Sequence, residues 1–320
     1  LVRTVRTPTA DDVLAAREIV ARHLVATPVV ASPALGPGIV LKLETMQPTG
    51  SFKVRGALVG VARAMERDPS TPLVTASAGN HGLGVAFAAT AYGATATVVV
   101  PENASSAKLS ALAKFAVTLL PKGRSYDEAE AYAVGMAEAG ATFVSPYNDP
   151  DTIAGQGSVA LEVLEQVPDV RTIVVPIGGG GLISGVALAA TRRPGVRVVG
   201  VEAAASPAVR VAVEGGHAPI DVKPTLADGL AGNIESGSVT VDIVRRHVDD
   251  IVSVTEDEIA DAIRFLATQH GLVVEGSGAV GVAALLHGRI NAGEGSTVVL
   301  LTGRNIAPKV LADLLSAPGS

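Results

Sequence analysis

Short apolar, β-branched runs punctuate this chain, and longer amphipathic or small-residue stretches fill the gaps between them. The runs at 39–43, 73–76, 95–100, 116–120, 141–144, 171–177, 196–201, 251–254 and 297–301 have the length and residue types of strands. The segments 9–26, 53–67, 83–91, 105–115, 125–139, 157–166, 182–192, 206–214, 239–247, 256–270 and 277–288 predict helices. Thr9 is the expected cap of the first, with Asp11 and Asp12 in its opening turn. Regular strand–helix alternation predicts parallel sheets with helices on both faces. The turn-rich stretch 145–151 reads as a domain crossing. The expected fold is therefore α/β, with two doubly wound, mostly parallel halves and a ligand site at the strand C-termini between them.

Two stretches, 82–101 and 172–191, carry no charge and are each long enough to span a bilayer. Both are interrupted as in a sheet protein, the first by Gly93 and the second by Gly178–Gly181, so no membrane partner is expected. With 320 residues, 48% hydrophobic and 18% charged, the chain can bury a large core. A net charge of -6 with scattered arginines argues against nucleic acid as a partner. The absence of cysteine excludes disulfides, thiolate nucleophiles and cysteine-bound metals. No secretory signal pattern opens the chain, which reads as cytoplasmic.

Chemistry concentrates at strand-to-helix junctions. After strand 39–43, the turn Gln47-Pro48-Thr49-Gly50 opens a helix with Ser51 as expected N-cap and Lys53 in the first turn. A cation there opposes the helix dipole, so the position is locally unfavourable. Gly178–Gly181 lies between an apolar strand and a helix, where backbone amides can approach a phosphate. The run fits neither the dinucleotide fingerprint nor a Walker loop. Ser77–Gly82 is a second such junction, whose amides can hold a carboxylate. Within it Asn80 offers a donor and an acceptor, and His81 offers acid–base chemistry. Thr302 ends the last strong strand, followed by Gly303, Arg304 and Asn305. Glu275 is flanked by apolar residues and glycines, a setting for a paired or functional carboxylate. A lysine beside a phosphate loop suggests a Schiff-base cofactor.

Six blocks then carry a family resemblance across nearly the whole chain. They are Gly50-Ser51-Phe52-Lys53-Val54-Arg55-Gly56-Ala57, Ser77-Ala78-Gly79-Asn80-His81-Gly82, Ile153-Ala154-Gly155-Gln156-Gly157, Gly178-Gly179-Gly180-Gly181-Leu182, Ala227-Asp228-Gly229 and Thr255-Glu256-Asp257-Glu258. The chain resembles the fold-type II pyridoxal-phosphate enzymes, which share the tryptophan synthase β-like fold. Within them it is similar to the threonine/serine dehydratases and serine racemases. The resemblance implies pyridoxal 5'-phosphate in the cleft, bonded to Lys53, which also moves the substrate's α-proton. It implies Phe52 against the ring and Asn80 on the ring hydroxyl. Gly178, Gly179, Gly180, Gly181 and Leu182 would hold the phosphate, with Thr302 beside the ring nitrogen and Glu275 also at the cofactor. Ser77, Gly79, Asn80 and His81 would receive the substrate carboxylate. The implied domains are 1–68 with 150–320, binding cofactor, and a smaller 69–149 carrying the carboxylate loop. A homodimer or homotetramer is expected.

The implied activity is that of an ammonia-lyase (dehydratase) on a β-hydroxy amino acid, L-threonine or L-serine, giving a 2-oxo acid and ammonia. Ala78 stands where racemases of the group carry a serine base, which favours elimination over racemisation. Ala208 stands where the group's cation site, beginning at Glu202, has an aspartate, so no metal is expected. Arg304 is a candidate partner for a second substrate carboxylate, as in 3-hydroxyaspartate. The alternatives are a serine or aspartate racemase, a 3-hydroxyaspartate dehydratase, and a non-catalytic cofactor- or amino-acid-binding protein.

Overall fold

The computed structural model describes residues 5–216 and 219–316. In chain order the first half runs α1 (Ala10–Val20), β1 (Val29–Ala31), β2 (Ile39–Leu43), α2 (Lys53–Arg67), β3 (Leu73–Ala76), α3 (Asn80–Tyr92), β4 (Ala96–Val100), α4 (Ser106–Leu112), β5 (Thr118–Pro121), α5 (Tyr126–Glu138) and β6 (Thr142–Phe143). The second half runs α6 (Pro150–Gln166), β7 (Val170–Pro176), α7 (Gly181–Ala190), β8 (Arg197–Ala203), α8 (Ala208–Val213), α9 (Val239–His247), β9 (Asp250–Val254), α10 (Glu256–His270), α11 (Gly276–Leu286), β10 (Ser296–Leu301) and α12 (Pro308–Ser316).

The strands form two sheets. One has six strands in the order β1-β2-β10-β7-β8-β9, the other four in the order β5-β4-β3-β6. Every pairing is parallel except β1 with β2. Parallel strands are covered on both faces, which is why β10 is buried at every position and reads as an unbroken apolar run. The same logic explains the uncharged stretch 172–191. Its helix α7 is buried all round, so no polar face is needed. No helix among the described residues is long and apolar enough to cross a membrane.

Most expected elements form within a residue or two of their bounds. Thr9 caps α1 in a capping box with Asp12, though α1 stops at Val20 rather than 26. Beyond it the chain is drawn inward, where Thr27 bonds Glu44 and Glu162. The helix expected from 157 begins at Pro150, with the Asp149 side chain capping Thr152 N–H. Its early glycines mark close helix contact rather than a turn: a Cβ on Gly155 would lie 2.8 Å from Arg55 O. Ser51 is not the N-cap of α2. That place falls to Phe52, which offers no side-chain cap, while Ser51 bridges Gly303 of the segment after β10.

Four strands end where the expected chemistry begins. β2 leads to Lys53, β3 to Ser77–Gly82, β7 to Gly178–Gly181 and β10 to Thr302. These are the carboxyl ends of parallel strands, the place where open α/β sheets bind ligands.

Candidate active site

Lys53 opens α2, and its ammonium donates to Pro146 O at 3.0 Å. The amino end is enclosed by protein, and burial lowers its pKa to about 8, against a raising pull from Glu275. Near neutral pH a usable fraction of this amine is therefore unprotonated and nucleophilic. It stands 5.3 Å from the centre of the Phe52 ring.

The carbonyl that receives Lys53 belongs to a segment the sequence did not mark as functional. Next to Pro146, Tyr147 lies against the glycine loop. A Cβ on Gly179 would fall 2.5 Å from the Tyr147 ring, and one on Gly181 would fall 2.8 Å from its Cα. Gly180 has φ 84°, which only glycine adopts without cost, and is the N-cap of α7 with no capping side chain. The first amides of α7 thus have no side-chain partner among the described residues, at the positive end of a helix. Three residues on, Ser184 Oγ is buried without a hydrogen-bond partner among the described residues. Tyr147 and Asn148 also hold the far wall. Glu235 N–H donates to Tyr147 Oη at 2.8 Å, and Asn148 Nδ2 donates to Glu235 at 2.8 Å. A lone tyrosine in a Pro-Asn-Asp turn, in a chain with 4 tyrosines, was the available signal.

On the other side, three segments close into one polar cluster. Asn80 Nδ2 donates to Glu275 Oε1 at 2.7 Å, Asn305 N–H to Glu275 Oε2 at 3.0 Å, and Asn305 Nδ2 to Asn80 Oδ1 at 2.6 Å. Thr302 is buried, and its carbonyl accepts from Phe52 N–H at 3.0 Å. Phe52, Asn80, Glu275 and Thr302 therefore converge around Lys53, with Asn305 as a member the sequence reading passed over. Burial raises the Glu275 pKa to about 7, offset by its bond from Asn80.

The carboxylate loop is tighter than a free loop. α3 already begins at Asn80, and Gly79, its N-cap, supplies no side chain. Ser77 Oγ accepts from Gly79 N–H at 3.1 Å. The opening amides of α3, like those of α7, have no capping side chain and lie at the positive end of a helix, where an anion can be received. His81 corrects the expectation of acid–base chemistry. It is buried, its Nε2 donates to Val144 O at 2.9 Å, and burial lowers its pKa to about 3. The imidazole stays neutral at working pH, so it does not act as a charged acid.

Leu182 is buried in the core at the start of α7. Arg304 is exposed at the rim; its amide donates to Gly50 O at 2.9 Å, and it forms no ion pair with Glu275 among the described residues. Glu202 is buried, and Val209 N–H donates to it at 2.9 Å. Burial raises its pKa to about 7. Among the described residues no group of His, Asp and Glu gathers as a metal site.

Comparison with known proteins gives the same picture. Residues 20–303 match the family model described as pyridoxal-phosphate dependent enzyme. The L-threonine ammonia-lyase of Thermotoga maritima is 44% identical over 274 residues, covering 85% of this chain and 68% of that protein. Maize serine racemase superposes with a TM-score of 0.89 at 32% identity, over 96% of this chain and 97% of that one. The processed threonine deaminase isoform 2 of Solanum lycopersicum superposes with a TM-score of 0.85 at 26% identity, over 98% of this chain and 90% of that one. The site fits the cofactor: an enclosed amine of lowered pKa for its carbonyl, and opening amides of α7 with no capping side chain for its phosphate. The chain belongs to the family of pyridoxal-phosphate dependent enzymes.

Proposed function

We propose that this protein is an ammonia-lyase that converts a β-hydroxy amino acid, L-threonine or L-serine, to a 2-oxo acid and ammonia. The observation that carries the reading is Lys53: an enclosed amine with a pKa of about 8, between a glycine phosphate loop and the Asn80–Glu275–Asn305 cluster. Relatives named for threonine ammonia-lyase and threonine deaminase activity support the substrate class.

Pyridoxal phosphate supplies a carbonyl that takes up an amine and a ring that draws electrons from the neighbouring carbon. The chain's own residues do the rest in this reading. The amides of Gly178–Gly181 and Leu182 would bind the phosphate dianion, helped by the dipole of α7. The amides of Asn80 and His81 bind the substrate carboxylate at the mouth of α3, with Ser77 and Gly79 shaping the turn. Asn80 would orient the ring hydroxyl, with Glu275 and Asn305 holding its amide. Thr302 would stand beside the ring nitrogen with a hydroxyl, which does not enforce a positive ring. Lys53 takes the proton from the substrate's Cα; burial leaves part of the amine uncharged near neutral pH, and at a pKa of about 8 it is still basic enough to do so. Phe52 packs beside it.

Ala78 bears on the choice between elimination and racemisation. It carries no group that takes or returns a proton, so Lys53 is the base this reading assigns to Cα. In the same reading residues 69–149 act as the small substrate-binding domain and 1–68 with 150–320 as the cofactor body. The four strands between 73 and 143 forming their own sheet support that division. Arg304, exposed and unpaired with Glu275, is the candidate for a second substrate carboxylate.

The test is a panel of L-threonine, L-serine, D-serine, L-aspartate and 3-hydroxyaspartate, assayed for 2-oxo acid and for the opposite enantiomer. The expected result is 2-oxo acid from threonine and serine well ahead of any racemisation. Racemisation outpacing elimination would overturn the reading, and so would an intact cofactor–lysine bond with no turnover. Arg304→Ala is expected to affect 3-hydroxyaspartate selectively if Arg304 meets its second carboxylate.

A further inference from the structure

Two residues after Lys53 lies Arg55, the largest fully buried side chain among the described residues. Its guanidinium is held on two sides. Nε donates to Glu44 Oε2 at 2.7 Å and Nη2 to Glu44 Oε1 at 2.8 Å. Nη1 donates to Glu162 Oε1 at 2.7 Å and Nη2 to Glu162 Oε2 at 2.9 Å, and Nη1 also reaches Ser158 Oγ at 3.2 Å. Every N–H of the fork is used. The carboxylates are fixed in turn. Thr27 Oγ1 donates to Glu44 at 2.6 Å, and Lys42 Nζ donates to Glu162 at 2.5 Å and to Thr27 O at 2.7 Å. Glu44 follows β2, and Glu162 sits on α6, so Arg55 ties the first turn of α2 to both.

Stability alone does not account for this cluster. Taking charges out of water is costly, and a well-packed apolar replacement of a buried ion cluster is often neutral or stabilising. What bidentate pairs supply is fixed geometry. The first turn of α2 needs such help. It has no acidic residue, no capping side chain, and two cations, Lys53 and Arg55, at the end where the dipole is positive. Close backbone packing acts at the same point: besides the contact of Gly155 with Arg55 O, a Cβ on Gly84 of α3 would lie 3.1 Å from the carbonyl carbon of Lys53.

We propose that Arg55 is a positioning residue for Lys53: its fork, closed by Glu44 and Glu162, fixes the first turn of α2 and so sets where the Lys53 amine meets cofactor and substrate. This rests on the reading of Lys53 as the cofactor lysine. Lys42 is the internal control, because it completes the same ion cluster without lying on α2.

The test compares Arg55→Lys, Arg55→Met and Lys42→Met as full-length holoenzymes. Cofactor retention is followed by dialysis, borohydride trapping and peptide mass at Lys53; kcat, KM and Tm are measured alongside. For Arg55→Met, cofactor loss about tenfold faster and kcat lower by about tenfold are expected, with KM within about threefold. Arg55→Lys keeps the charge but not the fork and should fall between. Lys42→Met should lower Tm yet stay within about twofold of the parent in cofactor loss and kcat. The proposal is overturned if cofactor loss and kcat simply follow Tm across all three, or stay at the parent's values in the Arg55 variants. Should Arg55→Met fail to fold, Arg55→Lys against Lys42→Met decides on the same criteria. A parent protein carrying no cofactor on Lys53 would instead overturn the reading of the site itself.

Discussion

Glu44 and Glu275 are both buried carboxylates near the start of α2, yet the protein treats them oppositely. Burial pushes each toward the neutral acid. At Glu44 the Arg55 guanidinium outweighs that push and holds the carboxyl below its ordinary value. At Glu275 no cation among the described residues is in hydrogen-bond contact; the partners are the Asn80 amide and the Asn305 N–H, and the pKa rises to about 7. One side of Lys53 is therefore a locked, neutralised ion cluster. The other is a polar cluster that changes charge near working pH. Rigidity sits with the backbone of Lys53, and adjustability sits where Asn80 and Thr302 face the proposed cofactor.

Glu44→Ala breaks this contrast hardest. It leaves Arg55 with a single carboxylate in a dry site, and the expected loss is about 3–5 kcal/mol in denaturant unfolding. A loss below about 1 kcal/mol would mean that water or a rearranged partner takes over, and the rigid half of the comparison would fail.

Glu275→Gln is the gentler probe, with an expected change of about 1 kcal/mol near neutral pH. Its value lies in the pH dependence. The Glu275 pKa rises from 4.5 to about 7 on folding, so between those values the folded chain binds more protons than the unfolded one. The stabilisation is complete below the lower value and is lost as pH rises through the upper. Replacing the carboxyl should flatten that decline in a plot of Tm against pH. Glu202, also raised to about 7, preserves the remainder. An unchanged slope would place Glu275 among ordinary carboxylates.

The same contrast explains what was legible in the residues alone. The strand–loop–helix junctions at 42–57, 77–82 and 178–181 are local patterns, and each stands at a strand end as expected. Relations across the chain were out of reach. Arg55 and Glu162 are separated by 107 positions, and nothing in either neighbourhood announces the pair. Pro146 and Tyr147 looked like a connecting turn because their role lies in contacts with Lys53 and Gly179. Ser51 had the residue type of a cap, but its backbone is claimed by Gly303. His81 had the residue type of an acid–base group, but burial removes the charge. The three-residue edge strand β1 and the terminal helix α12 carry too short or too ordinary a pattern to stand out.

The central claim is that Lys53 bonds the cofactor. Borohydride reduction of the purified protein, followed by peptide mass mapping, tests it in one step. The account predicts a single phosphopyridoxyl adduct on the peptide containing Lys53, together with loss of the visible absorbance. An adduct on another lysine, such as Lys108, or no adduct in a protein that still turns over threonine, would contradict it.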